Sequence, residues 1–524
     1  MRRWWAALVM VALLGVQGPV RAGGHGEEWR VLWIPLDSRP VNTGEVQLFG
    51  AAAGARLLLP PATLLDWHAT RRADTDGLLR WWQQTARPGD TVVFATNSLL
   101  AGGLIATRDP AHYTGLEKRL ATLEEALAES DQVRRIAVHV LPRAWPTQFR
   151  PDGSAAADPA LTGLLLERTE LQHRVRLFGR PADEERLAAL DRAIPAAERG
   201  RQDALIEQNR QVLAALLDWA EAGLVNELVI GLDDARPYGM ANLLHREAAQ
   251  VVAERGLSDR VHAHYGADEI GFLLVAREAL RRAGLQPRIA VEYGKAGSEG
   301  AVLPYEGASL GRSVGQKLTL LGAVPAGPGA GQRLFVHTAR DGAASRRLLE
   351  RMAAAYGRGE SVALADVTST GGRDRALVER LSESVPLTGV AYAGWNTASN
   401  AVGTALALAA VRELQSLAGA SEHQVLALEA FQAVRYAHDL VFQERREEMA
   451  AWARRHGIDP DRFGPGRRAM ARHLQGSVLP EAQAWLDRFH RGPVGVAGAA
   501  FPWERTFDLS FRPLVRAAGG ATGR

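Results

Sequence analysis

The chain has 524 residues, 47% hydrophobic and 23% charged, with a formal net charge of +3 and no cysteine. Such a length and apolar content specify a globular protein with room for one large or two to three ordinary domains. The lack of cysteine excludes disulfides, cysteine-ligated zinc, iron–sulfur clusters and a thiol nucleophile; arginines interspersed with acids leave no basic patch for nucleic acid.

The chain begins with an expected export signal. Arg2 and Arg3 precede an apolar run over 4–16, and Val20-Arg21-Ala22 offers small residues at the two positions a signal peptidase reads. The run is shorter than the roughly 20 apolar residues a membrane span needs. Residues 1–22 are therefore expected to be removed, leaving a periplasmic or extracellular protein with no stable membrane span.

Beyond the leader, short runs rich in Val, Ile and Leu end directly in polar, Gly or Pro residues, the pattern of strands buried on both faces of a parallel sheet. They fall at 30–36, 91–96, 135–141, 227–232, 261–265, 288–293, 333–337, 362–367 and 389–393. Helical periodicity fills the intervals at 75–86, 117–128, 203–222, 270–283, 345–356 and 373–384, so the chain reads as successive βα units. The fold class is α/β with mostly parallel strands, as a (β/α)₈-like barrel or as two doubly wound lobes; length up to Gly403 leans to the barrel. A charged helical insertion is expected at 152–201 and a Gly-rich loop at 294–331. From 404 to 524 helices follow one another without intervening strands until a late strand-like end at 507–511, which reads as a C-terminal helical subdomain after an α/β body over 23–403.

The polar residues cluster where the strands end. Asp37-Ser38-Arg39, Asn97-Ser98, Asp233-Asp234, Asp268-Glu269, Asp366 and Trp395-Asn396 each leave an apolar run, and ligand sites of α/β folds lie at the carboxyl ends of strands. Asp233 and Asp234 are the leading catalytic candidates. Two adjacent carboxylates repel and push one proton affinity up, the division of labour glycoside hydrolysis needs. The bland alternative is a turn-forming aspartate beside a solvated one. Asp268 is a third catalytic candidate, while Glu269 is read as a substrate contact or as the first-turn acid of a helix. Asp37, Arg39 and Asn42 would contact substrate, unless Asp37 and Arg39 only pair with each other. Asn97, Tyr238 and Asp366 are further contacts, and Trp395 with Asn396 offers an indole face and an amide for a sugar. Tyr305-Glu306 and Glu292-Tyr293 are weaker candidates. His262 and His264, two apart, suggest a metal site with Asp268, although strand histidines are more often packed. No nucleophile elbow, P-loop or His-Glu-x-x-His is present.

Taken together, Ile34-Pro35-Leu36-Asp37-Ser38-Arg39-Pro40-Val41-Asn42, Leu232-Asp233-Asp234 with Pro237-Tyr238-Gly239, Gly266-Ala267-Asp268-Glu269, Tyr392-Ala393-Gly394-Trp395-Asn396-Thr397 and Pro502-Trp503-Glu504-Arg505-Thr506-Phe507 resemble the bacterial domain-of-unknown-function family DUF4127 over nearly the whole mature chain. That resemblance implies no activity. The Asp-Asp strand end alone is similar to substrate-assisted β-N-acetylhexosaminidases. The expected function is an exported hydrolase, foremost a cofactor-free glycoside hydrolase acting on a glycan. The alternatives are a non-catalytic protein that binds a glycan or small polar ligand, and a metal-dependent hydrolase.

Overall fold

The computed structural model describes residues 29–68, 70–144, 158–327, 329–370 and 373–516; the expected export signal at 1–22 lies outside them. Strands β1 (Arg30–Ile34), β2 (Arg56–Leu58), β3 (Thr91–Ala95), β4 (Arg134–Leu141), β5 (Glu227–Leu232) and β6 (Val261–Ala263) form one sheet in the order β2-β1-β3-β4-β5-β6. Strands β7 (Arg288–Tyr293), β8 (Val324–Pro325), β9 (Gln332–His337), β10 (Ser361–Asp366) and β11 (Val390–Ala393) form a second, ordered β8-β7-β9-β10-β11. Every neighbouring pair in both sheets is parallel.

The fold is therefore α/β with parallel strands, but the strands divide between two open sheets instead of closing a barrel. Each sheet steps from its first strand to a short edge strand, then back across to the other side. This is the 2-1-3-4-5 order of a doubly wound lobe, whose ligand crevice opens where the order reverses. The order occurs twice in tandem, with one extra strand on the first lobe.

Periodicity explains the layers. The helices Thr75–Thr85, Leu116–Glu129 and Met240–Glu254 carry one apolar stripe and cover the outer face of the first sheet. By contrast, the helix Ala398–Ala418 is apolar almost all round, and only a fully enclosed position accommodates that. It lies with the helix Ile270–Ala283 between the two sheets, in a core that also takes Val31, Trp33 and Val229 from the first sheet and Leu334, Val336 and Ala391 from the second. Gly403 makes this approach possible, since a Cβ there would overlap the side chain of Glu269.

The described part of the segment expected as an insertion carries the helices Pro159–Phe178 and Pro181–Ala193, followed by Ala196–Glu221. The tail is helical over Glu422–Tyr436, Gln443–Arg455 and Arg467–Trp485, which share one apolar cluster with the outer face of the second sheet. It then returns as an antiparallel hairpin of β12 (Val494–Ala500) and β13 (Ser510–Val515). Among the described residues, no helix is long and apolar enough to cross a membrane.

Candidate active site between the two lobes

A cavity of about 520 Å³ opens at the carboxyl ends of the strands. The first lobe lines it with Asp37 and Arg39 after β1, Asp233 and Asp234 after β5, and Asp268 after β6. The second lobe supplies Tyr305 and Glu306 from the segment between β7 and β8, Thr370 after β10, and Asn396, Thr397, Ser399 and Asn400 after β11. The C-terminal segment adds Arg446, Asp461, Trp503, Arg505 and Phe507. Trp503 is fixed there by its indole N–H, which donates to Ser38 Oγ at 2.8 Å, while the Trp67 indole donates to the Pro502 carbonyl at 3.1 Å.

Arginines organise the first-lobe wall. Arg39 forks onto Asp268 (Nη1 to Oδ2 3.0 Å, Nη2 to Oδ1 2.5 Å) and also donates from Nε to Asp37 Oδ2 at 2.9 Å. Asn42 Nδ2 completes this group by donating to Asp37 Oδ1 at 2.8 Å. One guanidinium thus serves two buried carboxylates. Burial pushes the Asp268 carboxyl up, the charge of Asp37 adds to it, and the shared Arg39 only partly offsets them, leaving Asp268 at about 6.

Asp233 and Asp234 diverge. Arg108 Nη2 donates to Asp233 Oδ2 at 2.6 Å, and Arg143 Nη1 donates to Asp234 Oδ2 at 3.1 Å. Burial raises the proton affinity of Asp233, but Arg108 and Arg143 outweigh it and hold the carboxyl below its ordinary range. For Asp234, burial and then the charge of Asp233 push the carboxyl up, against the pull of Arg143. Asp234 is also the more accessible, with 28% of its side chain exposed against 9% for Asp233. Adjacent carboxyls with opposed proton affinities can keep one group ionised while the other carries a proton.

Backbone strain concentrates at the same place. Four described non-glycine residues have left-handed φ, and three of them, His68 (53°), Tyr305 (66°) and Asn396 (54°), line this cavity. Such conformations cost free energy and persist where the surroundings over-determine them, as at ligand sites. Asn396 and Asn400 bring side-chain amides to the cavity wall.

Of the twelve residues singled out in the sequence, Asp37, Arg39, Asp233, Asp234, Asp268 and Asn396 line the cavity, and Asn42 supports it from behind. The other five lie elsewhere. Asn97 is buried and closes a two-way bond with the β4 backbone, donating to Val140 O and accepting from Val140 N, each at 2.8 Å. Glu269 is fully enclosed, with His264 Nε2 at 2.8 Å and Lys317 Nζ at 3.2 Å. Asp366 holds a turn, accepting from Thr368 N, Thr368 Oγ1 and Asp374 N. Tyr238 packs edge-on against His173 and Phe178 of the helical insertion. Trp395 belongs to the shared core, donates to Thr404 Oγ1 at 3.2 Å and is covered by Arg435.

The His-His-Asp set does not assemble. His262 lies 3.0 Å from Glu227, His264 takes Glu269, and Asp268 takes Arg39. Among the described residues, no three metal-ligating side chains converge. Neither Arg108 nor Arg143 stands in a local motif: Arg108 closes the short helix Ala106–Arg108, well past the end of β3, and only Arg143 follows closely on a strand end, that of β4.

A family model described as "Protein of unknown function (DUF4127)" matches residues 31–512, nearly the entire chain, and the protein belongs to that family. No curated protein and no solved structure matches it.

Proposed function

We propose that the protein is an exported glycoside hydrolase whose substrate binds in the cavity between the lobes. Asp234 is the general acid that protonates the leaving oxygen. Asp233, kept ionised by Arg108, steadies the positive charge that develops on the sugar. Asp268, Arg39 and Asp37 shape the pocket, and the amides of Asn396 and Asn400 on the cavity wall read hydroxyl or acetamido groups.

The observation that carries this reading is the opposed proton affinity of two neighbouring carboxyls in one polar cavity. Its volume falls in the range of small-ligand sites, roughly 300–1,000 Å³. Export rests on the basic and apolar sequence of residues 1–22.

A panel of bacterial and environmental oligosaccharides, incubated with the protein and with Asp234→Asn and read by mass spectrometry, tests the proposal. Shortened products from the wild type that fall by about 10²-fold or more in the variant are the expected result. A second reading, a non-catalytic glycan-binding protein, is favoured by one observation: each first-lobe carboxylate already holds an arginine. Saturable binding with every oligosaccharide recovered intact would select it.

A further inference from the structure

The second lobe also brings a carboxyl to the cavity wall, and the surrounding bonds aim it. Glu306 is 5% exposed and lines the cavity. Ser399 donates to it twice, from the backbone N–H to Oε1 at 2.7 Å and from Oγ to Oε2 at 2.6 Å.

The proton order behind Ser399 follows from donor chemistry. Lys317 is fully buried; its Nζ donates to Tyr265 O at 2.7 Å and to Ser313 Oγ at 3.0 Å, with Glu269 Oε1 at 3.2 Å. An ammonium has no acceptor, so Ser313 must accept from it, which leaves the Ser313 O–H for Ser399 Oγ at 3.1 Å. The Ser399 O–H is then left for Glu306. Every donor in the row points toward this carboxylate.

The loop is pinned as well. The carbonyl of the strained Tyr305 accepts from Ala235 N at 3.0 Å, which ties the segment carrying Glu306 to the one carrying Asp234. Burial pushes the Glu306 carboxyl up, against Lys317 and Ser399, the direction that strengthens it as a base. Neither the oriented row nor the pinned loop is needed merely to cap a helix.

We propose that Glu306, on the second-lobe wall of the cavity that Asp234 also lines, is the general base of this site, and that hydrolysis inverts the anomeric centre. The inference rests on the glycoside-hydrolase reading. In the step, the oxygen of a water bonds to the anomeric carbon as its proton passes to Glu306. The bond from that carbon to the leaving oxygen breaks, its electron pair stays on the oxygen, and Asp234 supplies the proton. Exchange with solvent returns a proton to Asp234 and removes one from Glu306. Ser399 is a positioning residue that holds the base.

The test uses the mature chain with 4-nitrophenyl and 2,4-dinitrophenyl glycosides of the sugars that the wild type cleaves. Glu306→Gln, which keeps the shape and is checked by thermal melting, is expected to lose about 10²- to 10³-fold in kcat on both leaving groups. Asp234→Asn should lose far less on the dinitrophenyl glycoside, which needs little protonation. Azide, which needs no deprotonation, should restore turnover to Glu306→Ala, and proton NMR should show the inverted anomer from the wild type. Ser399→Ala should lower kcat and shift its acid limb, while leaving KM nearly unchanged. Glu306→Gln within twofold of wild type, or a retained anomer, overturns the role of Glu306 while leaving that of Asp234 standing. Failure of the wild type to cleave any glycoside overturns both.

Discussion

Replacing Lys317 with Met probes the buried centre that joins the two lobes. Lys317 and Glu269 are both fully buried, and the acid has Lys317 Nζ at 3.2 Å and His264 Nε2 at 2.8 Å. Burial pushes the Glu269 carboxyl up, but Lys317 and then His264 outweigh it and bring it to about 2, while burial drives His264 down to about 4 and so keeps it neutral at pH 7. Removing Lys317 therefore leaves an enclosed carboxylate without its cation, a change that costs about 3–5 kcal/mol. That is a large share of the roughly 5–15 kcal/mol that holds a domain folded. The sign with pH is fixed by the lowered acid. In the wild type, Glu269 contributes about 3 kcal/mol above its unfolded value near 4.5, lost as the pH falls through 2. In Lys317→Met the carboxyl takes up a proton far more readily, so the deficit relative to wild type should shrink as the pH falls from 7 toward 4.5. Adding Glu269→Gln should recover most of the loss. Urea denaturation at pH 7 and pH 4.5 measures all three chains. A cost below about 1 kcal/mol that does not change with pH would refute the assignment of Glu269 to a buried ion pair.

Asp268 has the opposite dependence, because its folded value of about 6 lies above its unfolded one. Its contribution is complete below about pH 4 and is lost as the pH rises through 6, so wild type should lose about 3 kcal/mol relative to Asp268→Asn between pH 4 and pH 8, read from denaturant midpoints. Asn97→Ala strips both partners from the buried Val140 peptide groups; it should cost about 2–4 kcal/mol in the same assay and leave KM and kcat on a cleaved glycoside unchanged.

The nine strands legible in the sequence are all strands in the protein, because each βα unit writes a run of branched apolar residues followed by a polar turn. The choice between one barrel and two doubly wound lobes was not legible. Periodicity says which residues are buried but not which strand pairs with which, and the edge strands β2 and β8 have only three and two residues. The same limit governs the site. Asp37, Asp233 and Asp268 face the cavity, whereas Glu269, next in sequence to Asp268, turns into the core, where Gly266 and Gly403 leave room for it. One residue of rotation separates a cavity wall from a buried ion pair, and no composition rule records it. Trp395 was read as a sugar platform, yet its indole is needed to fill the core beneath Arg435. Glu306 stood in a Gly-rich stretch with little local pattern, and its setting arises from Ser399 and Lys317, which are distant in sequence.

An acid role for Asp234 in the cavity between the lobes would show in the pH dependence of kcat/KM. The comparison is wild type against Asp234→Asn on a cleaved oligosaccharide with a poor leaving group. The wild-type rate should fall on the alkaline side as Asp234 loses its proton. In the variant the plateau should drop by about 10²-fold or more and the alkaline limb should disappear. A variant that keeps both the wild-type rate and its alkaline limb would rule out Asp234 as the acid.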